Sequence, residues 1–116
     1  MKVDKAWKIS TGVGIKIAVL DSGVDLLHPD LKNNLLKGFD ATGKNSKGAH
    51  RTNSNDAHGT ACAGIIAAEN NSIGTRGVAF NSKVIPVRVI HAKTNGGWYT
   101  TNKILSTLPT LNTIYK

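Results

Sequence analysis

The run HGTACAGIIAAENNSIGTRGVAF, residues 58–80, constrains this chain more than any other stretch. Its first part predicts a helix over 58–69. Thr60, Ala61, Ala63, Gly64, Ala67 and Ala68 keep that helix slim, while Cys62, Ile65 and Ile66 supply bulk. A helix with almost no polar face is expected to be buried and closely packed on all sides. His58, in its first turn, is therefore unusual. It reads either as a satisfied interior histidine or as a chemical group. The positive end of a helix disfavours imidazolium. A nearby carboxylate would act in the opposite sense and fix the ring tautomer.

A carboxylate is available upstream. Residues 3–10 suggest a short amphipathic helix with Val3, Ala6, Trp7 and Ile9 on one side, ended by Gly12 and Gly14. IKIAVL, residues 15–20, is apolar apart from Lys16 and predicts a buried strand of a parallel sheet. It runs into Asp21-Ser22-Gly23. In open α/β sheets, chemistry sits beyond the carboxyl ends of the strands, although an aspartate there also serves as a turn cap. Asp21 and His58 lie 37 residues apart, which leaves room for a crossover that returns both to one sheet edge.

The remainder reads more simply. Pro29 biases His28 toward extended backbone, and LLKGFDA, residues 35–41, suggests an edge strand. Residues 43–56 read as a surface loop. The polar loop 69–77 can offer several oxygens to one hard cation, or be a solvated turn. SKVIPVRVI, residues 82–90, predicts a second apolar strand, and 95–99 an exposed flexible segment. Residues 100–116 are weakly periodic and interrupted by Pro109, so no core role is assigned to them.

Charge and composition exclude several classes. The net charge is +8, from 15 Lys+Arg against 7 Asp+Glu. The lysines are scattered and few aromatics interleave them, which argues against a nucleic-acid partner. One cysteine, Cys62, excludes an internal disulfide framework. No apolar run is long enough for a membrane span, and the first residues lack the apolar core of a signal peptide. Localisation is left open.

Three blocks in one order resemble the subtilisin-like serine proteases. AVLDSGVDLLHPDL around Asp21 is similar to that family's aspartate motif, and HGTACAGIIAA to its histidine motif. ENNSIGTRGVAFNSKVIPVRVI is similar to its calcium loop and the strand that follows. The resemblance covers about residues 6–99. It implies a three-layer α/β fold with a mostly parallel sheet, here present only in part, as a partial peptidase domain over 1–116. It also implies proteolysis of a peptide or protein substrate by an Asp-His-Ser triad, with His58 as general base and Asp21 orienting it. A calcium ion would be held by the Asp30 carboxylate, the Asn71 side-chain oxygen and the carbonyls of Glu69, Ile73 and Thr75. The family's further ligand near the N-terminus has no match here. Asn95, Gly96 and Gly97 match the edge strand on which substrate pairs, and Ile90 would shape a neighbouring subsite. Relatives of this family suggest a secreted protein.

The sequence also departs from the family. No Gly-Thr-Ser-Met-Ala block occurs in these 116 residues, nor the asparagine that stabilises the oxyanion. The expectation is a truncated chain, inactive alone and of marginal independent stability. The alternative is a non-catalytic piece that binds peptide or complements a separate C-terminal fragment carrying the serine. Cys62, one helical turn beyond His58, reads as a buried structural thiol or, less simply, as a nucleophile.

Overall fold

The computed structural model describes residues 1–50, 54–103, 106, 108, 109, 112 and 113. A short helix α1 (Val3–Ala6) precedes strand β1 (Lys16–Asp21). Strand β2 (Phe39–Asp40) follows, and then helix α2 (His58–Ala67). Three more strands follow: β3 (Lys83–Arg88), β4 (Ile90–Ala92) and β5 (Trp98–Thr100). The main sheet has the order β1-β3-β2 with both pairs parallel, and β4-β5 is a separate antiparallel hairpin. The apolar runs at 15–20 and 82–90 thus become adjacent strands, and α2 lies in the crossover between them.

Period-two alternation along the strands divides the core between two faces. Val19 and Val84 pack with Val24, Leu31, Ala63 and Ala67, beneath α2. Ile85 and Val87 pack on the other face with Ala41 and Val89, supported by Leu20, Phe39 and Ile90. Gly59, Ala63 and Ala67 recur every four residues and form the buried face of α2. Small side chains there allow the helix to approach the sheet closely.

Several expectations are corrected. The predicted amphipathic helix is a single turn, and Ile9 is exposed. β1 is not fully buried: it is an outer strand among the described residues, with Ala18 exposed, as is Ile15 just before it. α2 is buried on one face only, since Ala61 and Ile65 are exposed. The expected edge strand within 35–41 is present but shortened to β2. Part of the loop predicted over 43–56, residues 51–53, lies outside the described residues, as does part of 100–116. Among the described residues, no helix is long and apolar enough to cross a membrane.

A fully buried ion-pair group ties the sheet to the segment before α2. Arg88, at the end of β3, has 0% exposure. Its Nη2 donates to Asp56 Oδ2 at 3.0 Å and its Nε to the Ser22 carbonyl at 3.1 Å. Its Nη1 lies 3.8 Å from Asp40 Oδ2.

Burial raises the Asp40 carboxyl, but hydrogen bonds from Ser46 and Thr42 outweigh it, so its pKa lies below the ordinary value. A carboxylate depressed on folding stabilises the fold above its unfolded pKa of about 3.9. That contribution is lost as pH falls through the lower, folded value. The urea midpoint is therefore expected to fall on acidification below about pH 4, and Asp40→Asn to flatten that part of the profile. An unchanged profile in the variant would contradict this account.

Candidate active site

The site is built where β1 ends and α2 begins. Asp21 is the last residue of β1, and His58 is the first of α2. His58 Nδ1 lies 3.0 Å from Asp21 Oδ1 and 2.9 Å from Oδ2. The Asp21 side chain is 14% exposed and that of His58 is 65% exposed. The carboxylate is therefore sheltered, while the far edge of the imidazole faces solvent. With the proton on Nδ1 directed at Asp21, Nε2 offers its lone pair outward.

Backbone close approach makes this meeting possible. A methyl group at Gly59 would run into the Gly23 carbonyl and crowd Asp21. Ser22, which sequence reasoning treated only as part of the aspartate motif, joins the two elements. Its hydroxyl donates to the Asp56 carbonyl at 2.8 Å and accepts from the Gly59 N–H at 3.1 Å. One of the orphan donors at the start of α2 is thereby satisfied. The Ser22 N–H also donates to Asp21 Oδ1 at 2.6 Å. The Asp25 N–H donates to Thr60 Oγ1 at 2.9 Å, a second tie between the segments.

Sequence reasoning also missed Asp56 and Arg88. Asp56 accepts from Arg88 and, through Oδ1, from the Ala92 N–H at 2.7 Å. It thus links the approach to His58 with β4. The one available signal was an arginine inside an otherwise apolar strand, which calls for a buried acidic partner.

Cys62 Sγ stands 3.7 Å from His58 Nδ1. Burial and the Asp21 charge both raise the Cys62 thiol pKa. A raised pKa favours the protonated thiol and weighs against the nucleophile reading.

The expected calcium-loop residues converge in part. The Asp30 carboxylate is buried, and its Oδ2 accepts from the Thr75 N–H at 3.1 Å. The Asp30 carbonyl accepts from the Glu69 N–H at 2.9 Å. Asn71 Oδ1 accepts from the Ile73 N–H at 3.0 Å. The Glu69 carboxylate is turned to Asn33, accepting from its backbone and side-chain N–H groups at 3.0 Å each. Asp30 Oδ1 is buried with no hydrogen-bond partner among the described residues. A Cβ at Gly74 would collide with Asp30 Oδ2. An orphaned carboxylate oxygen against the loop that carries Gly74 and Thr75 fits a hard cation, which takes oxygen ligands.

The substrate-strand residues lie differently from expectation. Ile90 is in β4, paired with Thr100. Asn95, Gly96 and Gly97 form the turn joining β4 and β5 rather than an extended edge. The Gly96 N–H donates to the Lys93 carbonyl at 3.2 Å, and the Lys93 N–H to the Gly97 carbonyl at 2.7 Å. Two glycines after an asparagine favour such a turn, and the cross-strand stack of His91 on Tyr99, at 4.9 Å between ring centroids, holds it in register.

A sequence profile of the subtilase family matches residues 12–115. The chain belongs to the subtilase family. It is 38% identical over 99 residues to thermitase of Thermoactinomyces vulgaris, an alignment covering 84% of this chain and 34% of that protein. It is 38% identical over 92 residues to a calcium-dependent protease of Trichormus variabilis, covering 78% of this chain and 13% of that protein. Among solved structures, it resembles the Aeromonas sobria serine protease in complex with its chaperone. There the TM-score is 0.62 at 34% identity, covering 71% of this chain and 14% of that one. The chain thus spans about a third or less of the length of the curated relatives named here. Its fold is a partial subtilisin-like α/β fold with a mostly parallel sheet, and it is a serine-protease-family domain.

Proposed function

We propose that these residues supply the aspartate and histidine of an Asp-His-Ser set that hydrolyses peptide bonds. The observation that carries this reading is the contact of His58 Nδ1 with both Asp21 carboxylate oxygens, with the rest of the ring open to solvent. In this reading His58 Nε2 takes the proton of a serine hydroxyl as the serine attacks the scissile carbonyl, and later returns it to the leaving amine. Asp21 holds the tautomer and stabilises the imidazolium. Ser22, Asp56 and Arg88 fix the elements that carry both groups.

The serine belongs to a polypeptide segment outside these 116 residues. The isolated chain is therefore expected to show no peptidase activity, and a chain carrying a Gly-Thr-Ser-Met-Ala block is expected to restore it on mixing. Hydrolysis by the purified chain alone, blocked by phenylmethylsulfonyl fluoride, would overturn this reading. The exposed Ile65 and Ile15 favour such a partner over a free-standing fragment. A peptide substrate would lie beside the β4-β5 hairpin, near Ile90 and the turn at Asn95, Gly96 and Gly97.

Calcium is the cofactor in this reading. Asp30 and Asn71 would hold it through side-chain oxygens, and Glu69, Ile73 and Thr75 through carbonyls. The ion would neutralise the buried Asp30 charge and cross-link the loop after α2. At a calcium concentration 100 times its Kd, the fold would gain about 2.7 kcal/mol. Asp30→Asn is expected to abolish the calcium-induced rise in unfolding midpoint. An equal rise in the variant would exclude this site.

A further inference from the structure

We propose that Asp56 is a positioning residue: through the Ala92 N–H it sets where the β4-β5 hairpin stands relative to His58. This role rests on the proteolytic reading, in which the peptide lies beside that hairpin. Asp56 is buried and stands two residues before His58. Its Oδ1 accepts from the Ala92 N–H at 2.7 Å, and its Oδ2 from Arg88 Nη2 at 3.0 Å. Its carbonyl accepts from the Ser22 hydroxyl, which in turn accepts from the Gly59 N–H. One residue thus holds the hairpin, the end of β3 and the junction that carries Asp21 and His58.

Strand geometry makes Ala92 available. The Lys93 N–H turns to Gly97 across the hairpin, so the Ala92 N–H turns to the opposite side. The base of the hairpin is tied down elsewhere. The Val89 N–H donates to the Asp21 carbonyl at 2.8 Å, and the Thr101 hydroxyl to the Ala41 carbonyl at 3.0 Å. Beyond Ala92, residues Lys93, Thr94, Asn95 and Gly96 are exposed. A cleft of about 180 Å³ lies between Asn55 and this outer part, lined by Ala92, Gly96, Gly97 and Trp98. Open space rather than packing separates the two there, so the Asp56–Ala92 bond sets their spacing.

The role requires a carboxylate. Two N–H donors converge on the Asp56 side chain, and only a carboxylate accepts through both oxygens. An asparagine has one accepting oxygen. The Arg88 cation, the stronger donor, takes it, and Ala92 is then met by an NH₂ group that cannot accept. No proton or bond of the reaction passes through Asp56. It acts through the place of the hairpin, and so only on peptides long enough to reach it.

Two variants remove the bond by different chemistry. Asp56→Asn removes the acceptor. Replacing Ala92 by lactic acid, which puts an ester in place of the amide before it, removes the donor and leaves the Asp56–Arg88 pair whole. The Asp56 carbonyl that holds Ser22 is untouched in both. In the reassembled protease, each is expected to raise KM about tenfold for a peptide with four residues before the scissile bond. In each, kcat is expected to change by less than about twofold. For a single-residue amino-acid ester, too short to reach the hairpin, the rise in KM is expected to shrink below about twofold. An equal rise for the short ester, or no rise for the long peptide in either variant, would overturn the positioning role and leave the catalytic reading in place. Failure of the unmodified mixture to hydrolyse either substrate would overturn the catalytic reading, and this role with it.

Discussion

Replacing Arg88 by methionine is expected to cost about 3–5 kcal/mol of stability. The guanidinium lies within 4 Å of two buried carboxylates, Asp56 and Asp40, and also binds the Ser22 carbonyl. Methionine matches much of the volume but carries none of the donors. Two acidic groups and a carbonyl would then lose their cation in a region without solvent. Breaking one side of such a pair is far more damaging than replacing the whole pair with apolar groups. Net stability for a domain of this size is only about 5–15 kcal/mol, so a loss of this size removes a large share of it. Urea denaturation followed by circular dichroism checks this. The double variant Arg88→Met with Asp56→Asn is expected to recover part of the loss, because one stranded charge is gone. Equal urea midpoints for the parent and Arg88→Met would show that the ion pair contributes nothing net.

Arg88 also marks where reading the sequence succeeds and where it stops. The two apolar strands were legible because long β-branched runs have few other homes, whereas their pairing with each other came only from the structure. The meeting of Asp21 with His58 was legible because each sits at the end of an element whose direction was clear. The partners of Arg88 were not. Asp56 is brought to it by a turn before α2, and Asp40 by a strand of only two residues, and neither leaves a periodic trace. Asn95, Gly96 and Gly97 could be read as extended backbone or as a turn, and the choice rests on pairing with β4, which no local pattern encodes. The exposed faces of β1 and α2 have a related cause. Apolar composition reports that a surface is made to be covered, not what covers it.

Asp21→Asn is expected to lower kcat of the reassembled protease by about 10⁴-fold while leaving KM little changed. Asparagine keeps the size of the side chain and its acceptor for the Ser22 N–H, so the junction of β1 with α2 is not expected to shift. What changes is the partner offered to His58 Nδ1. An amide NH₂ turned toward Nδ1 makes that nitrogen an acceptor and moves the ring proton to Nε2. The outward nitrogen then has no lone pair for a serine proton, and the imidazolium formed in the transition state loses its counter-charge. Both effects act on the chemical step and neither on peptide binding, so the loss belongs in kcat. The tautomer can be read independently of catalysis from the ¹⁵N shifts of His58 in the 116-residue chain, with Nδ1 protonated in the parent and Nε2 protonated in the variant. If both chains show the same tautomer, or if kcat survives the substitution, Asp21 does not orient the base and the catalytic reading of this junction fails.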